Sequence, residues 1–100
     1  MKKWEVWYAK FPYEDDKRIE KVRPIVVLRC TPKRIMAMKL TSHKAREYSD
    51  VPIKKWKYTG LIKPTTARTS KHMYLERKKL LRRIGILHND DRQEIAKRYA

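Results

Sequence analysis

Hydrophobic and polar residues alternate with period two over much of the first half of the chain. From Trp4 to Ala9, Trp4, Val6 and Tyr8 fall on one side and Glu5, Trp7 and Ala9 on the other. Aromatic and β-branched residues at that spacing predict a strand. Pro12 and Glu14-Asp15-Asp16 then open a polar, acidic loop that runs to about Val22. After Pro24, Ile25 to Leu28 is an unbroken aliphatic run, the pattern of a central strand covered on both faces. Thr31-Pro32-Lys33 predicts a turn. Arg34 to Leu40 predicts a third strand, with Met36, Met38 and Leu40 facing one way and Ile35, Ala37 and Lys39 the other.

The second half is patterned less sharply. Residues 44–50 are charged and read as a loop, and Val51-Pro52-Ile53 reads as a short edge strand because proline is confined to edges and ends. Gly60-Leu61-Ile62 predicts the start of a further strand running toward Arg68. Leu75 to Arg83 predicts one or two helical turns, with Glu76 early and Arg82 and Arg83 late, as a helix dipole prefers. Ile84 to Leu87 is a short apolar segment. Asn89 or Asp90 caps a final helix over Asp91 to Tyr99, with Ile95 and Tyr99 on one face. Strands first and helix last predict an α+β chain, or a small, partly open barrel, as one domain over residues 1–100.

Charge changes this picture most. The 100 residues carry 27 Lys plus Arg against 11 Asp plus Glu, a formal net charge of +16. Such a charge works against the compact state and implies a polyanionic partner: nucleic acid, an anionic membrane or an acidic protein. The apolar runs are far shorter than the roughly 20 residues that span a bilayer, so no membrane role is expected. Met1-Lys2-Lys3-Trp4-Glu5 lacks the apolar region of a secretory signal, and Cys30 is the single cysteine. Both point to a reducing cytoplasm. Cys30 ends an apolar run and reads as a half-buried small hydrophobe.

Three stretches carry candidate chemistry. In Lys21-Val22-Arg23-Pro24 an arginine ends a flexible loop just before a rigid strand. Its guanidinium suits a phosphate bidentately, although a solvated rim arginine has the same pattern. In Thr41-Ser42-His43 two hydroxyls and an imidazole close a strand, either as turn chemistry or as phosphate and ribose ligands. The imidazole of His43 is a candidate general acid or base. Residues 63–83 hold Lys63, Arg68, Lys71, Arg77, Lys78, Lys79, Arg82 and Arg83 against the single acid Glu76, with His72 and Tyr74 interleaved. Cations beside rings suit single-stranded nucleic acid; a solubilising face is the alternative. There is no CxxC, no HExxH, no metal-ligand spacing and no glycine-rich phosphate loop. No metal or other cofactor is therefore expected, and a nuclease built from these residues would rely on the 2′-OH of RNA as its nucleophile.

Taken in order, these segments resemble the MazF/PemK/Kid toxins of bacterial type II toxin–antitoxin systems. The residues that carry the resemblance are Trp4 to Pro12, Val22-Arg23-Pro24-Ile25-Val26-Val27-Leu28, Lys39 to His43, Gly60 to Pro64, Ile84 to Leu87 and Asp90 to Ile95. The resemblance implies a small SH3-like barrel of the MazF/PemK/CcdB type with short helices, one at the C-terminus, and a homodimer. It implies metal-independent cleavage of single-stranded RNA and neutralisation by an acidic antitoxin. Arg23 and Thr41 become the catalytic pair, with Ser42 and His43 beside them. Where some members carry an acid after the Gly-Leu pair, this chain has Thr65, which leaves His43 as the candidate base. Lys21, Lys63, Thr65, Arg68, Lys71 and His72 are the expected RNA contacts. A non-catalytic barrel that binds RNA or DNA, and a gyrase-directed toxin of the same fold, are the competing readings.

Overall fold

A computed structural model describes residues 1–13 and 15–99; Glu14 of the acidic loop lies outside them. Six strands, β1 (Glu5–Pro12), β2 (Glu20–Cys30), β3 (Arg34–Thr41), β4 (Asp50–Pro52), β5 (Thr66–Glu76) and β6 (Leu80–Ile86), form one antiparallel sheet in the order β4-β5-β3-β2-β1-β6. Helix α1 (Trp56–Thr59) follows β4, and helix α2 (Asn89–Tyr99) ends the chain.

The predicted alternation divides two hydrophobic clusters. Val6, Val26, Met38 and Leu40 meet Ile95 of α2 on one face of the sheet. Ala9, Ile25, Val27, Ile35 and Ala37 meet Phe11 and Leu75 on the other. Burial on both sides explains the unbroken Ile25 to Leu28 run. Each such side chain withdrawn from water contributes roughly 1.5–3 kcal/mol. The second cluster draws on β1, β2, β3 and β5 and touches Leu80 of β6, so the sheet itself curls over it. Irregular register at Val6/Trp7, Tyr8/Ala9, Val27/Arg29 and Met38/Leu40 supplies the bending, because bulges increase local twist.

Hydrogen bonding leaves the sheet open, with β4 and β6 as its two edges. Helix α1 spans that seam, leaving β4 and packing on β6. The two glycines of the chain both sit at this contact. Gly60 ends α1 with φ 102°, the left-handed region that glycine enters without penalty. A Cβ at Gly85 would collide with the carbonyl oxygen of Thr59. The Asp91 carboxylate accepts hydrogen bonds from the backbone N–H groups of Lys54 (2.9 Å) and Lys55 (3.0 Å), which fastens α2 to the chain entering α1.

Several sequence expectations change. Leu75 to Arg83 is not helical: β5 runs to Glu76, a single 3-10 turn covers Arg77–Lys79, and β6 starts at Leu80. The turn is tied to the start of β2 by Lys79 Nζ, 2.9 Å from Glu20 Oε1. Gly60-Leu61-Ile62 caps a helix instead of starting a strand, and β5 begins at Thr66. β2 begins at Glu20, within the expected loop, and Pro24 stands inside it opposite Tyr8. Pairing with β3 reaches only Ile25. From Glu20 to Pro24 the strand is therefore bonded to β1 alone, which is where a residue without an N–H is tolerated.

Candidate functional site

Because β2 outruns β3, a cleft opens where the two part. It has a volume of about 590 Å³, with Tyr13 and Asp15 on one side and Leu61, Ile62 and Lys63 on the other. The paired residues Ile25–Lys39, Val26–Met38 and Val27–Ala37 define the β2–β3 register. Continued two residues past Ile25 and Lys39, that register sets Arg23 opposite Thr41. Period-two alternation gives both the face of Ile25 and Lys39, and both line the cleft.

Of the sequence candidates, Arg23, Thr41, Ser42, His43, Lys21, Lys63, Thr65 and Arg68 all line this cleft. Thr41 is buried and Arg23 half-buried, whereas Ser42 and His43 are exposed. The Thr41 hydroxyl accepts a hydrogen bond from the His43 backbone N–H at 3.3 Å, so the strand end is also a turn. Thr65 donates its hydroxyl to the Lys63 carbonyl at 2.9 Å. Lys71 and His72 lie outside the cleft on β5. His72 Nδ1 donates to the Thr69 carbonyl at 2.9 Å, and its ring meets Tyr99 of α2 edge-on.

The lining contains Lys21, Arg23, Lys39, Arg46, Lys63 and Arg68, and Asp15 is its single acid among the described residues. Not all of that charge faces the cavity equally. Arg68 donates from Nε to Asp50 Oδ1 (3.1 Å) and from a terminal nitrogen to Glu47 Oε1 (2.8 Å). Asp50 Oδ2 accepts the backbone N–H groups of Arg46 (3.0 Å) and Glu47 (3.3 Å). Burial pushes the Asp50 carboxyl upward, but the Arg46 N–H and the Arg68 guanidinium outweigh it and hold the group below its ordinary value. Arg68 thus fastens the 46–50 loop to β5 behind the cleft, with its charge answered by two carboxylates.

Sequence reasoning did not single out Tyr8, Tyr13, Lys39, Arg46 or Ile62, which also line the cleft. Lys39 had a detectable signal, a lysine on the face of core-directed Ile35 and Ala37. Tyr8 lies under the Arg82 guanidinium at 5.2 Å from the ring centroid, linking the cleft to β6. Among the described residues no group of three or more His, Cys, Asp or Glu could hold a metal ion, and no helix is long and apolar enough to cross a membrane.

The model of one protein family, described as PemK-like, MazF-like toxin of type II toxin–antitoxin system, matches residues 2–100. No curated protein sequence matches significantly. Among solved structures, the Mycobacterium tuberculosis toxin MazF-mt6 superposes with a TM-score of 0.76 at 18% identity, covering 95% of this chain and 91% of that one. An endoribonuclease in complex with its cognate antitoxin, from a mycobacterial species, superposes with a TM-score of 0.79 at 13% identity, covering 98% and 89%. A further mycobacterial endoribonuclease gives 0.75 at 13% identity over 98% and 86%. At such identities these likenesses establish the fold: the six-stranded antiparallel sheet with two short helices is that of MazF toxins, with the sheet left open at the α1 seam.

Proposed function

The chain belongs to the PemK-like, MazF-like toxin family of type II toxin–antitoxin systems, and from that membership we propose that it is a metal-independent endoribonuclease acting on single-stranded RNA. The observation that carries this reading is the cleft itself. Arg23, inside β2, and Thr41, the last residue of β3, line one cavity with six cations and one acid among its described lining residues. A scissile phosphate drawn there meets a guanidinium and a hydroxyl from two rigid strands.

The chemistry follows from RNA. The 2′-oxygen attacks the adjacent phosphorus and its proton passes to His43. The bond from phosphorus to the 5′-oxygen breaks, and that oxygen takes a proton from water. The products carry a 2′,3′-cyclic phosphate and a 5′-hydroxyl. Arg23 keeps its charge throughout and stabilises the negative charge that grows on the phosphoryl oxygens, an effect worth several kcal/mol for a single well-placed donor. Thr41 hydrogen-bonds the phosphate, and Lys21 and Lys63 hold the flanking backbone. The same positive surface suits an acidic antitoxin segment that folds upon it and excludes RNA. The working form is a homodimer in the cytoplasm, checked by sedimentation of the purified protein.

The test is incubation of purified protein with single-stranded RNA in excess EDTA. New cyclic-phosphate ends are expected, with Arg23→Ala and Thr41→Val each lowering the rate at least a hundredfold, the scale seen when one such donor is removed. RNA left intact by the wild-type protein would sink the nuclease reading. Salt-sensitive binding without cleavage would replace it with a non-catalytic RNA-binding barrel.

A further inference from the structure

Beside the cleft, and sharing Ser42, His43 and Thr65 with it, lies a second pocket of about 340 Å³. Its walls differ in kind from those of the cleft. Trp56 supplies a flat aromatic surface, and Pro52 and Pro64 add apolar rings without a backbone N–H. Its charged lining residues, Lys44 and Lys54, are exposed. Ser42, His43, Thr65 and Thr66 add a few polar groups, so a planar ring would find a stacking surface, hydrogen-bonding groups at its edge and cations outside for its backbone.

Trp56 is well placed for this. It is half-buried, packs against the first hydrophobic cluster and still lines the pocket. Its carbonyl accepts the N–H groups of Gly60 and Leu61 at 3.2 and 3.0 Å, so the turn that follows is tied back to it. Lys54 and Lys55, just before α1, are held by Asp91. A stacking platform on a rigid support loses little entropy when a base settles on it.

We propose that this pocket takes one nucleobase of a single-stranded RNA, stacked on Trp56, from a nucleotide next to the phosphate held in the cleft. The inference rests on the reading of that cleft as an RNA site, because continuity through Ser42, His43 and Thr65 is what selects RNA as the occupant. The Ser42 hydroxyl and the His43 imidazole, at the junction of the two cavities, are the side chains able to read the edge of that base. Unstacked bases of single-stranded RNA are bound by aromatic side chains in this way, and each stack contributes roughly 1–3 kcal/mol.

The experiment uses the intact protein carrying Arg23→Ala, so that RNA binds with its cleavage impaired. Short oligouridylate and oligoadenylate are titrated in, with binding followed by anisotropy and stacking by tryptophan emission. Of the other two tryptophans, Trp4 packs on the first cluster and Trp7 on the second, neither of them lining this pocket. Quenching on binding is expected, and it should vanish in Trp56→Phe. Trp56→Leu should weaken binding about 5- to 150-fold. Ala45→Trp fills the pocket from an exposed loop position, and should weaken binding comparably even if Trp56→Leu folds poorly. Unchanged affinity and unchanged quenching in Ala45→Trp and Trp56→Phe overturn the pocket while leaving the cleft intact. RNA that fails to bind the parent protein overturns the cleft reading and the pocket with it. Quenching by oligoglutamate and not by RNA would assign the pocket to an acidic protein segment, and so overturn the inference.

Discussion

Asp50 has a side chain only 1% exposed, yet it holds a charge because Arg68 and two backbone N–H groups converge on it. Removing one partner strands the other, which for a buried pair costs about 3–5 kcal/mol. Asp50→Asn is therefore expected to lower unfolding stability by that order in urea titrations. The pH dependence has a definite sign. The folded carboxyl sits below its ordinary value of about 3.9, so its stabilisation is complete above that value and is lost as pH falls through the lowered one. Urea melts below about pH 4 should show a fall in stability that Asp50→Asn lacks. At this scale the sequence was informative where a residue's neighbours in the chain determine its surroundings. Thr41, closing an alternating strand, could be placed at a strand end, whereas Arg23, expected just before a strand, lies inside β2 because that strand starts at Glu20. Arg68 could not be recognised as an ion-paired anchor, because Glu47 and Asp50 lie 21 and 18 residues away in sequence.

Among the elements, α1 is the smallest and the most constrained. Gly85→Ala forces a methyl group into the Thr59 carbonyl, so α1 must move. Overpacking of this kind typically costs 1–3 kcal/mol or more. A lower melting temperature is expected, together with weaker RNA binding, since Leu61, Ile62 and Lys63 leave α1 to form a cleft wall. Gly60→Ala, at φ 102°, should cost about 1 kcal/mol, read by the same melts. β1, β2 and β3 were legible because burial on both faces writes itself as alternation and as an aliphatic run. The passage from β5 to β6 was misread because charges on an exposed edge strand, Arg82 and Arg83, look the same in sequence as charges at a helix C-terminus. The alternation was nevertheless present in exposed Ser70, His72, Tyr74 and Glu76 against Met73 and Leu75. Four residues of α1 are too few to show a helical period.

For the molecule as a whole, the net charge of +16 should appear as salt dependence. Log affinity for single-stranded RNA falls by roughly 0.7 per phosphate neutralised for each decade of salt. Lys21→Ala and Lys63→Ala should each reduce that slope by about 0.7 in anisotropy titrations over a salt series. Arg68→Gln should change the melting temperature far more than the slope, because its charge is already answered inside the fold. The total charge was plain in the sequence, but its division between cleft and scaffold depends on distant partners and was not. The open seam carries a different consequence. An open sheet whose seam is bridged by one helical turn has a place where it parts first. Hydrogen exchange should find the amides of Gly60 and Leu61 exchanging through local opening long before those of Val26 and Val27. Each such excursion bares two strand edges at once, and that brief state is the form in which this chain is most exposed to proteases and to pairing with other copies of itself.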